Sequence, residues 1–427
     1  MPIVVFVLAA AVFAQGTSEF MVSGLLEQIA ADVGVSLGAA GLLTSLFAAG
    51  MVVGAPVMVM LAGRFPVRYS VTAFLGLFCA AHVVGAAAPG FSVLLVTRVV
   101  AAIANAGFLA IVLAALPRLV SPAVLGRASS VVVSGVTVAC IAGVPAGALL
   151  GQVWGWRSAF WAVAVISAAA LAPVWMMLGD AHDGDTLDGR ARSMRREWLV
   201  VRQRPVLIAV AAGVLVNAAT FAGFTYLGTI TTGIAGGDRW VPVVLALFGV
   251  GSFLGVMVTG RYSDRHQQRI ILVGTVVLVG VWLLAAMTAQ TLIGVLVMSM
   301  VAGAVAFGIG STLIATIVQT ATPVAPRIAG ALATTAFNIG AVLGAAAAGL
   351  LVDRTDHPTT ALWCGAAFTT VAVSVVAMGR QSGHDLRWTD EFQRDTSSTP
   401  LGTPNSGGPG QKQSIRAVVR PSEREAQ

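Results

Sequence analysis

Twelve long apolar runs constrain the fold of this chain more than any other feature of its sequence. Each run is roughly 20 residues long, which is the length that an α-helix needs to cross a hydrocarbon layer of about 30 Å. The runs also lack the alternating pattern of an outer-membrane β-barrel. The sequence therefore predicts transmembrane helices 1 to 12 at about residues 3–25, 39–61, 70–88, 92–116, 128–150, 158–178, 206–231, 240–260, 270–289, 291–316, 328–351 and 359–379.

The composition also indicates a membrane protein. Of the 427 residues, 57% are apolar and only 10% are charged, whereas soluble domains carry about 25% charged residues. The net charge of +7 does not indicate nucleic-acid binding, because the arginines lie between apolar runs and form no basic domain. Cys79, Cys140 and Cys364 are odd in number and form no CxxC pair, and the five histidines are scattered. We therefore expect no disulfide, metal ion or cofactor.

The positions of arginine and lysine set the expected orientation. If the N-terminus is cytoplasmic, 21 of the 25 cations lie on the cytoplasmic side, and the outer loops hold only Arg157, Arg239 and Arg354. Cytoplasmic loops are enriched in Arg and Lys, so both termini of a multi-pass protein of the cytoplasmic (inner) membrane are predicted to be cytoplasmic. The first run has no basic residue before it and no clean cleavage site after it, which favours a retained helix over a signal peptide.

A polar central loop at residues 179–205 divides the chain into two halves of six predicted helices, residues 1–178 and 206–379. The tail, residues 380–427, is rich in Ser, Thr, Pro, Gly and charge and is predicted to be disordered and cytoplasmic. Similar loops at Gly63 and Asp264 are 201 positions apart, which indicates a repeat. The predicted fold is an all-α membrane protein of twelve transmembrane helices in two pseudo-symmetric six-helix halves, with a substrate site between the halves.

Glu19 and Arg98 are the acidic and the basic residue that lie well inside the apolar runs. A charged group in hydrocarbon costs about 2.5–3.5 kcal/mol on insertion scales, so both are expected to face the bundle interior. A rise of about 1.5 Å per residue places both roughly 9 Å below the outer surface. We interpret them as a proton-coupling pair, and a static ion pair that fixes helix packing is the alternative. The positions 201 residues later are Thr220 and Ser299, so only the first half carries the charges.

Two loops carry arginines at matching depth in the two halves. Their candidate residues are Arg64 and Arg68 in the first loop and Gly260, Asp264, Arg265 and Arg269 in the second. The second loop resembles the signature of the major facilitator superfamily, with Gln267 and Gln268 in place of a Gly and an Arg. In the first loop Gly63 stands where the signature has Asp. We expect these arginines to hold the cytoplasmic face closed, and positive-inside retention is the alternative.

Helix 5 carries small residues and a proline, namely Gly135, Gly143, Pro145 and Gly147. Small residues let helices approach closely, and the proline removes a backbone hydrogen bond and bends the helix. The pattern resembles the Gly-Pro motif of the drug/proton antiporters in that superfamily, although Val144 precedes the proline here. Ordinary close packing is the alternative explanation.

Longer stretches resemble one branch of these antiporters. They include Phe-Ala-Gln-Gly-Thr-Ser-Glu-Phe-Met at 13–21, the run at 98–109 that begins Arg-Val-Val-Ala, Gly-Trp-Arg-Ser-Ala-Phe-Trp at 155–161 and Asn-Ala-Ala-Thr-Phe at 217–221. Together they are similar to the actinobacterial chloramphenicol exporters. The resemblance implies alternating-access export of a small neutral drug, chloramphenicol foremost, in exchange for inward protons, with drug resistance as the result. Sibling exporters of sugars, nucleosides or other drugs are the alternative, as is a facilitator without coupling.

A neutral nitroaryl diol amide such as chloramphenicol needs apolar and aromatic walls with a few hydrogen-bonding groups. Residues of these types near the middle of helices 1, 4, 7 and 11 are Phe20, Asn105, Phe108, Asn217, Thr220, Phe224 and Asn338. Helix packing is the alternative role for each of them. The spans hold no His/Asp/Glu cluster or nucleophile–base arrangement, and no Walker A sequence occurs, so neither an enzyme nor an ATP-driven pump is predicted. The expected partners are a small-molecule drug, protons and the lipid bilayer. The protein is expected to be a monomer.

Overall fold

Helices make up all of the regular secondary structure in the described part of the chain, which confirms the all-α prediction. The computed structural model describes residues 2–61, 66–178, 198–234, 236–325 and 328–397. Within these ranges, twelve helical segments are long and apolar enough to cross a membrane, as predicted. In chain order, spans 1 to 12 are Ile3–Gly24, Leu37–Ala55, Val67–Ala86, Phe91–Leu119, Leu125–Trp154, Trp156–Met177, Arg204–Thr225, Asp238–Ser263, His266–Thr288, Leu292–Ala321, Ala329–Thr355 and Thr360–Gly379.

Spans 1 and 7 end at the same place in the repeat. The short helix Leu26–Val33 follows span 1, and the short helix Leu227–Thr232 follows span 7. The residues at the two breaks are Leu25 (φ −119°, ψ −3°) and Tyr226 (φ −101°, ψ 5°). They have similar backbone angles and are 201 positions apart, so the structure confirms the predicted pseudo-symmetry of the two halves.

Two places in the bundle depart from simple α-helical geometry. Spans 8 and 9 are two helices within Val241–Thr288 that meet at a kink, where His266 has non-helical backbone angles (φ −131°, ψ 22°), in the polar segment that the sequence predicts as a loop. One residue with non-helical angles thus changes the direction of the chain between the two spans. Span 5 contains a π-helical turn, Ala139–Gly143, between two α-helical parts, Leu125–Val138 and Val144–Trp154.

The chain forms two compact units, Met1–Arg380 and Gln381–Gln427. The last helix, Thr360–Ser397, runs past the predicted boundary at residue 379. An existing helix lengthens readily, because each added residue brings one more backbone hydrogen bond. The rest of the predicted tail, 398–427, and residues 179–197 of the predicted central loop lie outside the described ranges. A 3-10 turn, Trp198–Arg202, leads into span 7.

The two halves meet at the end of the bundle that the arginine pattern places outside. Span 2 packs along span 11, and span 5 packs along span 8. Among the described residues, four hydrogen bonds cross between the halves at this end. They run from Ser36 Oγ to Asp353 Oδ2 (2.7 Å), from Gly38 N to Asp353 Oδ1 (2.8 Å), from Gln152 Nε2 to the carbonyl of Asp238 (2.5 Å), and from Thr232 Oγ1 to the Glu27 carboxylate. These bonds tie the halves together at one end of the molecule in this conformation.

Candidate functional site

Aromatic rings from both halves surround a cavity at the boundary between the halves. Its lining consists of Phe20 and Cys140 from the first half and Thr220, Phe221, Phe224, Phe248 and Phe307 from the second. The ring centroids of Phe20 and Phe224 are 5.9 Å apart, and those of Phe224 and Phe248 are 4.8 Å apart. In this conformation the cavity has a volume of only about 10 Å³, roughly the room that one water molecule needs. Three of the seven residues predicted to line a substrate cavity, namely Phe20, Thr220 and Phe224, therefore lie together here.

The π-helical turn in span 5 brings Cys140 into the cavity wall. Pro145 has no backbone N–H to donate to the carbonyl four residues earlier, and the wider turn lies across this gap. The carbonyl of Cys140 packs directly against Gly249 of span 8, where any side chain would collide with it. The irregular turn is therefore also a close contact between the halves.

The glycines of the helix-5 motif face span 1. A side chain at any of the three would approach that span: Gly135 meets the carbonyl of Ala9, Gly143 meets Thr17 Oγ1, and Gly147 meets Met21 Cβ at 3.3 Å. The motif thus lets span 5 lie close to span 1, next to the turn that carries Glu19.

Glu19 and Arg98 come into electrostatic range of each other without direct contact. Arg98 is buried, with 1% of its surface exposed. Glu19 is partly exposed and is an electrostatic neighbour of Arg98. No ion pair joins the two side chains, both of which the structure describes. Instead, Arg98 Nη1 donates to Ser18 Oγ at 2.8 Å, Nε donates to the carbonyl of Leu43 at 3.5 Å, and the guanidinium lies 4.2 Å from the centre of the Phe47 ring.

The structure adds two residues, Ser18 and His82, that were not among the predicted site residues. Ser18 Oγ lies 2.6 Å from His82 Nε2, and His82 Nδ1 lies 2.8 Å from the carbonyl of Phe78. Both side chains are buried. A serine next to Glu19 and a histidine inside a predicted helix were visible in the sequence, but an apolar run does not reveal which helix faces meet.

The other four predicted cavity residues do not line the aromatic cavity. Asn105 is 5% exposed in span 4, and Phe108, which is fully buried, packs in the core of the first half. Asn217 Nδ2 donates to the carbonyl of Phe337 at 2.6 Å and so joins spans 7 and 11. Asn338 Nδ2 donates at 2.9 Å to a carbonyl one turn earlier in its own helix.

The predicted loop motif is described only in part. Arg64 and the side chains of Asp264 and Arg265 lie outside the described part of the structure. Gly260 lies near the end of span 8, and Arg269 lies near the start of span 9. The Arg68 guanidinium lies 4.0 Å from the centre of the Trp175 ring, which links spans 3 and 6. Gln267, which replaces a glycine of the signature, donates to Thr316 Oγ1 at 2.8 Å and links the bend to span 10.

The three cysteines are free thiols. Across the described ranges, no group of three His, Cys, Asp or Glu side chains could hold a metal ion. The polar side-chain groups that line the cavity are the Thr220 hydroxyl and the Cys140 thiol.

Comparisons with known proteins agree with this architecture. The family model of the Major Facilitator Superfamily matches residues 8–345 and 240–400. A chloramphenicol resistance protein of Streptomyces lividans is 45% identical over 377 residues, which cover 88% of this chain and 95% of that protein. The inner membrane transport protein YdhP of Escherichia coli K12 is 30% identical over 348 residues, 81% of this chain and 88% of that protein. The crystal structure of a bacterial homologue of the human lysosomal transporter Spinster matches 88% of this chain and 96% of its own, with a TM-score of 0.71 at 15% identity, and so shares the fold.

Proposed function

This chain belongs to the Major Facilitator Superfamily, and we propose that it exports chloramphenicol, or a closely similar neutral drug, across the cytoplasmic membrane in exchange for protons. The family and the relatives are membrane transporters, and the twelve apolar helices make this a multi-pass membrane protein. The observation that carries the proposal is the aromatic cavity, because both halves contribute to its wall and a carboxylate lies nearby.

The chemistry of the wall favours a neutral aromatic drug. Phenylalanine rings offer large apolar surfaces with preferred ring-to-ring geometry, which suits a nitroaryl group. The polar groups of the lining are the Thr220 hydroxyl and the Cys140 thiol. Thr220 donates its hydrogen to the carbonyl of Val216 at 2.8 Å, so its oxygen can still accept a hydrogen bond from a substrate hydroxyl or amide. A sugar would need many more polar partners than this wall provides.

Glu19 is the group that we assign to proton exchange. We propose that it takes a proton from the outer side and releases it to the cytoplasmic side as the halves rock around the cavity. Arg98 is its electrostatic partner. For a neutral drug, each inward proton also moves one charge, so the membrane potential supplies about 2.3 kcal/mol per 100 mV. The hydrogen bonds between the halves, such as that from Ser36 to Asp353, must break when the outer end opens.

The test is drug uptake by inside-out membrane vesicles that contain the protein. We expect labelled chloramphenicol to accumulate under an imposed proton gradient and to leave when an uncoupler is added. Phe20→Ala should weaken uptake by about 2- to 10-fold, the worth of one aromatic contact of about 0.5–1.5 kcal/mol. Phe6→Ala is the matched control, because Phe6 lies in the same span but is 54% exposed on the outside of the bundle.

Each alternative has its own outcome in this assay. Accumulation of a sugar or nucleoside but not of chloramphenicol would assign the chain to a sibling exporter. If chloramphenicol only equilibrates across the membrane and the uncoupler has no effect, the protein would be a facilitator. Cysteine labelling of intact cells, with both termini expected to be protected, tests the cytoplasmic placement that the arginine pattern predicts.

A further inference from the structure

Ser18 and His82 hold the Arg98 guanidinium at a site that is separate from Glu19. We propose that they are positioning residues, which keep Arg98 away from the Glu19 carboxylate in the conformation in which the outer end is tied together. The proposal rests on the proposed function, since it assumes that Glu19 exchanges protons.

With a neutral His82, the hydrogen bonds of this cluster run in one direction. The carbonyl of Phe78 only accepts, so His82 Nδ1 carries the hydrogen in the bond between them. In the neutral imidazole Nε2 is then an acceptor, and Ser18 Oγ donates to it at 2.6 Å. The Ser18 oxygen is left free to accept from Arg98 Nη1 at 2.8 Å. The order is therefore Arg98 to Ser18 to His82 to Phe78.

This order requires a neutral His82. A protonated imidazole would donate from both nitrogens, and the Ser18 hydrogen would lose its acceptor. The surroundings agree, because the His82 ring packs between Phe78, with centroids 4.2 Å apart, and Phe160, at 5.9 Å. The charged groups that face the cluster are Arg98 on span 4 and Glu19 on span 1, and the neighbour on span 6 is the uncharged Phe160.

Part of the Arg98 guanidinium is available for a further hydrogen bond. Its Nη2 is buried and has no hydrogen-bond partner among the described residues. A guanidinium and a carboxylate normally form short, paired hydrogen bonds when they meet. Here the guanidinium is instead held by a neutral hydroxyl, a carbonyl and an aromatic face.

Glu19 follows Ser18 in span 1 and lies within electrostatic range of Arg98, so a movement of the Arg98 side chain would transfer its guanidinium from Ser18 to Glu19. While Glu19 is protonated and neutral, Arg98 rests on Ser18. When Glu19 has released its proton, the guanidinium pairs with the carboxylate through Nη2. The strength of the Ser18–His82 site thereby sets how readily Glu19 takes up a proton.

The test measures the pH dependence of chloramphenicol uptake by proteoliposomes under an imposed membrane potential, with equal pH on both sides. His82→Phe keeps a ring between Phe78 and Phe160 but removes the acceptor for Ser18. Ser18→Ala removes one oxygen atom. In both variants Arg98 pairs permanently with Glu19, so the pH of half-maximal uptake should fall by about one unit or more, as a nearby opposite charge shifts protonation.

Conservative variants and a control separate positioning from packing. His82→Gln and Ser18→Thr retain an acceptor and a hydroxyl, and both should restore most of the wild-type pH profile. Ser167→Ala is the control, because its buried hydroxyl bonds only to the carbonyl of Val163 in its own helix, at 2.7 Å, and the profile should not change.

Two results would overturn the proposal. One is a lower rate at every pH in Ser18→Ala and His82→Phe without a shift of the profile, which would make the cluster purely structural. The other is a shift of equal size in Ser167→Ala. If His82→Phe is not produced, Ser18→Ala and Ser18→Thr decide the question. Wild-type uptake that ignores pH and potential would instead refute the proposed function itself.

Discussion

The two halves share a backbone plan but differ in what the repeat places at equivalent positions. The first half has Ser18, Glu19 and Arg98, and the positions 201 residues later hold Ala219, Thr220 and Ser299. The hydroxyls of Thr220 and Ser299 donate to carbonyls in their own helices, at 2.8 Å and 2.9 Å. By contrast, Arg98 on span 4 donates across to Ser18 on span 1. At these positions the first half therefore has a polar contact between two helices, whereas the hydroxyls of the second half bond only within their own helices.

One pair of equivalent aromatic residues shows the consequence of this difference. Phe47 lies under the Arg98 guanidinium, 4.2 Å from ring centre to cation. Phe248, 201 positions later, packs against Phe224 in the wall of the aromatic cavity, with centroids 4.8 Å apart. The same position in the fold thus meets a charge in one half and an aromatic ring in the other. This supports a division in which the first half handles the proton and both halves contact the drug.

The largest effect is expected from Glu19→Gln, which removes the acidic residue that span 1 of the first half has and the equivalent span 7 lacks. Glu19→Gln removes the carboxylate that we assign to proton exchange, so uptake into vesicles should stop at equilibrium. At a potential of 100 mV the wild type can hold a gradient of about 50-fold per proton, from about 2.3 kcal/mol of work. Thr220→Val, at the equivalent position, should keep this gradient and change only the apparent affinity. A Glu19→Gln protein that still concentrates the drug would refute the assignment of proton exchange to the first half.

Helix positions could be predicted from this sequence because each apolar run is nearly unbroken. The offset of 201, read from two loops, reappears in the structure at Leu25 and Tyr226. The rotation of each helix about its axis could not be predicted, because a helix that is apolar on all sides shows no polar face to orient it. Hence the burial of Arg98 was predictable, but its hydrogen bond to Ser18 rather than to Glu19 was not.

The second-largest effect is expected from the replacement of Arg98, the buried cation of the first half. Arg98→Met removes the charge and keeps an unbranched apolar side chain, so Glu19 should hold its proton too tightly at neutral pH and uptake should slow by about tenfold or more. Arg98→Lys should restore only part of the rate, since an ammonium lacks the planar set of donors. Ser299→Ala, at the equivalent position, should change uptake by less than about 2-fold, because its hydroxyl bonds only within its own helix. Equal losses in Arg98→Met and Ser299→Ala would contradict the comparison.

A third test compares how each half joins two of its helices. Gly16 lies against span 5, and Asn217, its equivalent, donates to the carbonyl of Phe337 on span 11. Gly16→Ala would place a Cβ atom 3.0 Å from Ala139 Cβ and 3.2 Å from Val136 Cα, so the spans must separate. We expect this overpacking to lower the free energy of unfolding by about 1–3 kcal/mol. Asn217→Ala removes one hydrogen bond between helices and should lower it by about 0.6–1.7 kcal/mol. Thermal unfolding in detergent measures both, and the reverse order would contradict the prediction.

The smallest effect concerns the outer loops, where the polar asymmetry continues. Asp32 forms an ion pair with Arg157, whereas the equivalent positions in the second half are Gly233 and Pro358. Hydrogen bonds from Arg157 and then from Trp156 hold the pKa of Asp32 below its ordinary value, against a smaller opposing contribution from burial. A carboxylate whose pKa is lowered by folding stabilises the folded state above its ordinary pKa of about 4, and this contribution is lost as the pH falls through the folded value.

Asp32→Asn should therefore lower the unfolding temperature near pH 7 only slightly, since exposed ion pairs contribute about 0.2–1 kcal/mol. The difference from the wild type should shrink as the pH falls below about 4, where the wild-type carboxyl is also neutral. It should shrink in high salt as well, because an exposed pair is screened. Asp238→Asn is the matched control on the outer loop of the second half, because the carbonyl of Asp238, not its carboxylate, accepts the hydrogen bond from Gln152. If the unfolding temperature of Asp32→Asn is lower than that of the wild type by the same amount at every pH, the stability of the loop depends on the shape of the Asp32 side chain and not on its charge.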